Sequence, residues 1–187
     1  MAHRFSTAVA LIVALQAGGI AGAAPAKRES VRSLLRAKDA ITLTAADWQK
    51  LGDDVDVYLV EAASDSKLAY GARQRAIAGL GAVRGERARE FLAGLASNRS
   101  AAAPLLGSAV QAYATGFGKD DPAGAQKLSS ELLAHSDWLV RRGAVRALGE
   151  LGTDEARAAL RAHAARETNA SVRASVSKAL GQAPKAF

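Results

Sequence analysis

Past residue 26 the chain holds only two histidines, His135 and His163, and no cysteine anywhere. An imidazole suits proton transfer or zinc ligation, but either chemistry needs converging partners. The absence of cysteine removes thiolate ligands, thiol nucleophiles and disulfides together. His135 closes a helical stretch, where it complements the helix dipole. His163 falls in register with Leu95 of an earlier stretch, a packing position. The two histidines belong to successive helix pairs and can approach each other, but no nearby acid completes a metal site. Asp53-Asp54-Val55-Asp56 begins like a calcium loop, yet lacks the required Gly and the distal Glu. Acids there favour a helix start instead. Gly116-Phe117-Gly118-Lys119 is glycine-rich with a lysine. It follows a helix rather than a strand and lacks phosphate-loop spacing, so it reads as a turn. These residues predict no catalytic set, no metal and no cofactor.

Arginine placement carries more information. Arg142 and Arg146 lie four apart and so share a helix face, turned away from the apolar face of Val140, Ala144, Ala147 and Leu148 toward solvent. Lys178 is the counterpart of Arg146 one repeat later, Gln111 one repeat earlier, and Arg73 adds a cation further upstream. Arg73, Arg142, Arg146 and Lys178 are therefore the candidate binding residues, forming a cationic row for an acidic protein or peptide.

Helices must carry that row, because the chain repeats itself. Val140, Arg141, Ala147, Leu148 and Gly149 recur as Val172, Arg173, Ala179, Leu180 and Gly181, thirty-two residues on. A self-match at such a period marks a stacked helical array. Apolar residues make up 49% of the 187-residue chain but aromatics only 5%, so Ala, Leu and Val must build the core. Helical segments come in pairs. The first members span 53–64, 86–97, 122–135 and 154–166; the second span 68–80, 104–114, 138–148 and 170–180. Gly81, Gly149 and Gly181 are expected to stop three of the second helices, since glycine takes the left-handed C-cap without steric cost. The positions of Ala76, Ala109, Ala144 and Val176 are equivalent, as are those of Leu80, Tyr113, Leu148 and Leu180; both sets read as core. Gly79, Ala112, Ala147 and Ala179 keep the adjoining site small. The second helices hold seven cations against Asp137 alone, while the first helices hold nine acids and six cations.

The run Asp137-x-x-Val140-Arg141-x-x-Ala144-x-x-Ala147-Leu148-Gly149 resembles the second helix of HEAT repeats, in particular the short HEAT-like repeats of phycobilisome lyase subunits. It recurs in part as Arg73, Ala76, Leu80 and Gly81, while the second repeat is degenerate, with Leu106 in the Arg place. The resemblance covers roughly residues 53–181. It implies an all-α, right-handed α-α superhelix, a solenoid of about four HEAT-like helix pairs, with the Val-Arg helices along the concave side. It also implies an Arg–Asp ladder, in which Asp137 and Arg141 can take part. Trp48-x-x-Leu51-Gly52 is similar to the opening of a tetratricopeptide repeat, with Val55 where a Tyr would stand.

The N-terminus has the layout of a secretory signal peptide. Arg4 precedes a short apolar run, residues 8–15, and Ala24-Pro25-Ala26 supplies small residues for cleavage before Lys27. The run is far short of the roughly 20 residues of a spanning helix, so no membrane span remains after cleavage. The expected organisation is a signal peptide at 1–26, an N-terminal helical cap at 27–52 and the repeat array at 53–187. Within the cap, 29–38 suits a short helix, and Thr44 with Asp47 three residues on makes a capping box. An exported, periplasmic or secreted, non-catalytic scaffold or binding module is the reading these features favour. The alternatives are polyanion or nucleic-acid binding by a basic concave face, and an accessory subunit of an enzyme. Export argues against DNA, and no aromatics interleave the Arg positions for stacking on bases.

Overall fold

The structure is a computed structural model that describes residues 24–36 and 43–181. Residues 1–23 of the expected signal peptide lie outside the described residues, and Ala24–Ala26 form the first turn of helix α1 (Ala24–Arg36). Among the described residues the chain folds as ten helices and no strand. After α1 come α2 (Ala45–Gln49), α3 (Val55–Ser64), α4 (Tyr70–Val83), α5 (Glu86–Ser97), α6 (Ala103–Phe117), α7 (Pro122–Leu132), α8 (Trp138–Leu151), α9 (Asp154–Ala164) and α10 (Ala170–Ala179).

The helix starts follow local chemistry. Thr44 and Asp47 form the capping box of α2, each side chain accepting from the other residue's backbone N–H. Asp121 accepts from Gly124 N–H at 2.9 Å just before Pro122 opens α7. Asp137, Thr153 and Asn169 cap α8, α9 and α10 in the same way.

The helix ends differ from expectation. Gly181, at φ +68°, follows α10 as foreseen. α4, however, runs past Gly81 and ends on Arg84 in the left-handed region, and α8 runs past Gly149 to end on Gly152 at φ +62°. Gly81 and Gly149 lie inside helices because a neighbouring helix comes too close for a side chain. A Cβ on Gly81 would sit 2.6 Å from Ala112 O of α6, and one on Gly149 would sit 2.9 Å from the Ala179 Cβ of α10. Gly107 and Gly143 make the corresponding contact between α6 and α8, backbone against backbone.

These glycines set the shape. α4, α6, α8 and α10 pack on one another far more intimately than α3, α5, α7 and α9 do. Layers pinched along one row fan out along the other, which places α4, α6, α8 and α10 on the inner side of the curve. Between the rows runs one continuous core in which Leu59, Ala76, Leu80, Leu92, Leu106, Leu132, Val140, Leu148, Leu160 and Val172 are buried. Trp48 of α2 is buried against Gly79 and closes the N-terminal end of that core. Ala179 and Leu180, expected in the core, are only half-buried, and among the described residues no further helix stacks on α10.

Candidate functional site

The inner face of α6, α8 and α10 forms a groove of about 570 Å³ whose polar lining is Gln111, Arg146, Glu150, Ser175 and Lys178. A narrow cleft of about 60 Å³ adjoins it through Gln111 and Arg146, and adds Gln74, Ser108 and Arg142. Helical spacing puts these side chains in one row. Gln111, Arg146 and Lys178 occupy the same repeat position on three successive inner helices, and Arg142 lies one turn before Arg146. Gln74 donates to Pro104 O (3.1 Å) and to Ser108 Oγ (3.0 Å), pinning the near end of the row.

Arg142 does not point freely to solvent. Its guanidinium lies 4.9 Å from the centre of the Trp138 ring, one turn back on the same helix. Burial, and then the charge of Arg146, lower its pKa. Arg146 and Lys178 are exposed, and neither forms an ion pair among the described residues. Glu150 went unrecognised from sequence. Reading Gly149 as a stop ended α8 too early, whereas the full helix brings Glu150 four residues past Arg146 into the groove. The row is therefore cationic with one acid, not uniformly basic.

Three other arginines of the inner helices serve structure. Arg73 lies outside the row: its Nε donates to Ala63 O at 2.9 Å, at the end of α3, and its guanidinium sits by the Tyr70 ring. Arg75 Nε donates to Leu35 O at 2.8 Å, at the end of α1. Arg141 Nη1 donates to His135 O (2.9 Å) and Ser136 O (2.8 Å), just after α7. In each case a guanidinium satisfies terminal carbonyls that a helix leaves unpaired, where its charge also complements the dipole.

Arg141 has a second role, and it corrects the expected ladder. Asp137 is spent on capping its own helix, so Arg141 pairs with Glu167, in a bidentate contact at 2.7 and 2.9 Å. Glu167 is buried, and its Oε1 also accepts from Asn169 N–H at 2.8 Å. Its pKa is lowered to about 2, chiefly by the hydrogen bonds from Arg141. His163 is buried as well, with Nε2 2.9 Å from Glu167 Oε2 but off the line of a proper hydrogen bond. Burial lowers the pKa of His163, outweighing the opposing pull of Glu167. His135, His163, Arg141, Arg166 and Glu167 line a hollow of about 480 Å³. The acid that sequence reading missed near the histidines is thus present, four residues after His163 on the turn that closes α9. Arg141 and the Asn169 N–H hold its oxygens, and among the described residues no group of three His, Cys, Asp or Glu side chains is placed to hold a metal. Two acids of the Asp53–Asp56 cluster are similarly engaged, Asp54 with Lys27 and Asp56 with Arg87.

Residues 98–181 match the family model of HEAT repeats. That segment, α6 to α10 with the loop before it, is thus an array of HEAT repeats. Its array resembles a chain of the complex of CpcE and CpcF of phycocyanin lyase from Nostoc sp. PCC7120, at 18% identity and a TM-score of 0.61, over 83% of this chain and 98% of that one. It also resembles an engineered protein at 18% identity and a TM-score of 0.52, over 81% of this chain and 70% of the other. At these identities the likeness is one of fold. No match was found among curated proteins.

Proposed function

We propose that this protein is an exported, non-catalytic binding module that holds an acidic segment of a partner protein in its inner groove. The observation that carries this reading is the state of three cations. Arg142, Arg146 and Lys178 meet along the groove with Glu150 as its one carboxylate and form no ion pair among the described residues, whereas Lys27, Arg28, Arg32 and Arg36 of α1 and Arg87 and Arg89 of α5 are all ion-paired. Convergent cations without ion-pair partners raise the local concentration of an acidic partner and speed its capture. The groove supplies an extended surface on rigid helices, the usual interaction surface of a solenoid. Protein partnership also agrees with the phycocyanin-lyase structure, which is a complex of two proteins. Export rests on the signal-like layout of residues 1–26. The absence of a catalytic role rests on the histidines, one closing a helix end and one buried against Glu167.

Charge reversal tests the groove. Arg142→Glu with Arg146→Glu should leave the helical fold nearly intact and weaken capture of an acidic partner from envelope extract, with binding that declines steeply as salt rises. Unchanged capture by a folded variant would make the row a solvated face. Preferential retention of nucleic acid over acidic protein would favour the polyanion reading instead.

A further inference from the structure

Cation–carboxylate pairs bridge every junction between successive layers of this array. Lys27, Arg28 and Arg32 of α1 meet Asp54, Glu61 and Asp65 on and around α3 at 2.9, 2.7 and 2.8 Å. Arg87 of α5 reaches back to Asp56 of α3 at 2.9 Å. Arg99, after α5, meets Glu131 of α7 at 3.0 Å. Arg141 of α8 meets Glu167, between α9 and α10, at 2.7 Å.

The outer side of the last layer carries half of such a junction. Arg157 and Arg161 of α9 and Lys178 of α10 line a hollow of about 410 Å³ together with Ala179, Leu180 and Gly181. Among the described residues no carboxylate lines it, and none of the three cations forms an ion pair. Arg157 and Arg161, four apart, share one face of α9. Beside them Ala179 and Leu180 remain half-exposed. The opposite end of the array shows how such a face is covered. There α1 buries Val31 and Leu35 and sets cations against the acids of α3.

We propose that the C-terminal end of the array is a docking face for an acidic helix of a partner protein, which stacks on α9 and α10 as one further layer. The partner helix is the charge-reversed counterpart of α1: a short apolar stripe to cover Ala179 and Leu180, flanked by Asp or Glu facing Arg157, Arg161 and Lys178. A second copy of this chain does not meet that description through α3, because α1 already holds the acids of α3. The end face shares Lys178 and Ala179 with the groove but uses neither Arg142 nor Arg146, and Arg157 and Arg161 belong to it alone.

The test uses the full chain and a defined probe. The probe is a labelled, helix-stabilised peptide of about 20 residues, with Leu at i and i+4 and Glu on both flanks, followed by fluorescence anisotropy at low salt. A scrambled peptide of the same composition is the control. Measured in an Arg142→Glu, Arg146→Glu background, which removes the groove's own share of binding, Arg157→Glu with Arg161→Glu should weaken binding by about tenfold or more and Arg157→Gln with Arg161→Gln by less. Circular dichroism should report native helicity in all three. The proposal is overturned if reversal at 157 and 161 leaves binding intact, or if the scrambled peptide binds equally well. Displacement by inorganic phosphate at equal concentration would make the hollow a small-anion site. Binding that appears only on removal of residues 182–187 would assign the hollow to the chain's own last residues.

Discussion

Glu167→Gln is the substitution that most directly tests how the last two layers are joined. The change keeps the shape but removes the charge. Glu167 is 6% exposed and satisfies Arg141 with both oxygens. Its neutral replacement leaves a largely buried guanidinium without its counter-charge and turns an amide N–H₂ toward Arg141 or His163. Removing one partner of a buried pair costs about 3–5 kcal/mol. Arg141 keeps two carbonyl acceptors and some solvent, which brings the expectation to roughly 2–4 kcal/mol. The pKa gives a consistent figure. A carboxyl moved from 4.5 to about 2 on folding contributes about 3 kcal/mol. A depressed folded pKa means that this stability is present above 4.5 and is lost as pH falls through about 2. His163, also depressed, adds stability that is present above 6.5 and is lost as pH falls below that value. Urea unfolding followed by circular dichroism should therefore show the variant about 2–4 kcal/mol less stable at neutral pH, with the gap to the parent narrowing as pH drops below 4.5. A penalty under about 1 kcal/mol, or one that does not change down to strongly acid pH, would refute the buried-pair account.

Leu148→Ala removes a fully buried side chain from the last turn of α8 and should cost about 2–5 kcal/mol in the same assay; a loss below about 0.5 kcal/mol would mean that Leu148 does not face the core. Gly143→Ala should destabilise the array by about 1–3 kcal/mol because the added Cβ meets the Gly107 backbone of α6. Helix propensity alone argues the other way, for a gain of up to about 1 kcal/mol, so a stabilised variant would show that α6 and α8 are not in close contact. N-terminal sequencing of the exported protein should begin at Lys27, and recovery of the uncleaved chain in the cytosol alone would defeat the export reading.

Much of the array was legible in the residues because stacked repeats write themselves locally. The thirty-two-residue self-match of Val140–Gly149 with Val172–Gly181, the Asp121-Pro122 and Thr153-Asp154 starts, and the apolar spacing of Ala144 and Leu148 each depend on neighbours within a few turns. The candidate groove residues were legible for the same reason: Arg142 and Arg146 share a helix face whatever surrounds the helix. Export and the identity of a partner have no such geometric expression in the described residues.

The tertiary structure decided what each charge and each glycine is for. Gly81 and Gly149 have the composition of helix stops, but a glycine also permits close approach, and only the neighbouring helix distinguishes the two uses. That ambiguity hid the last turn of α8, and with it Glu150. The arginines carry the same ambiguity. In sequence Arg73, Arg75, Arg141, Arg142 and Arg146 are alike, five side chains long enough to reach any of several partners. The fold assigns Arg73, Arg75 and Arg141 to carbonyls at the ends of preceding helices, and leaves Arg142 on Trp138 and Arg146 open to the groove. Periodicity is a property of one helix and can be read along the chain. The partner of a long flexible side chain is a property of two or three helices at once, and it exists only after they have packed.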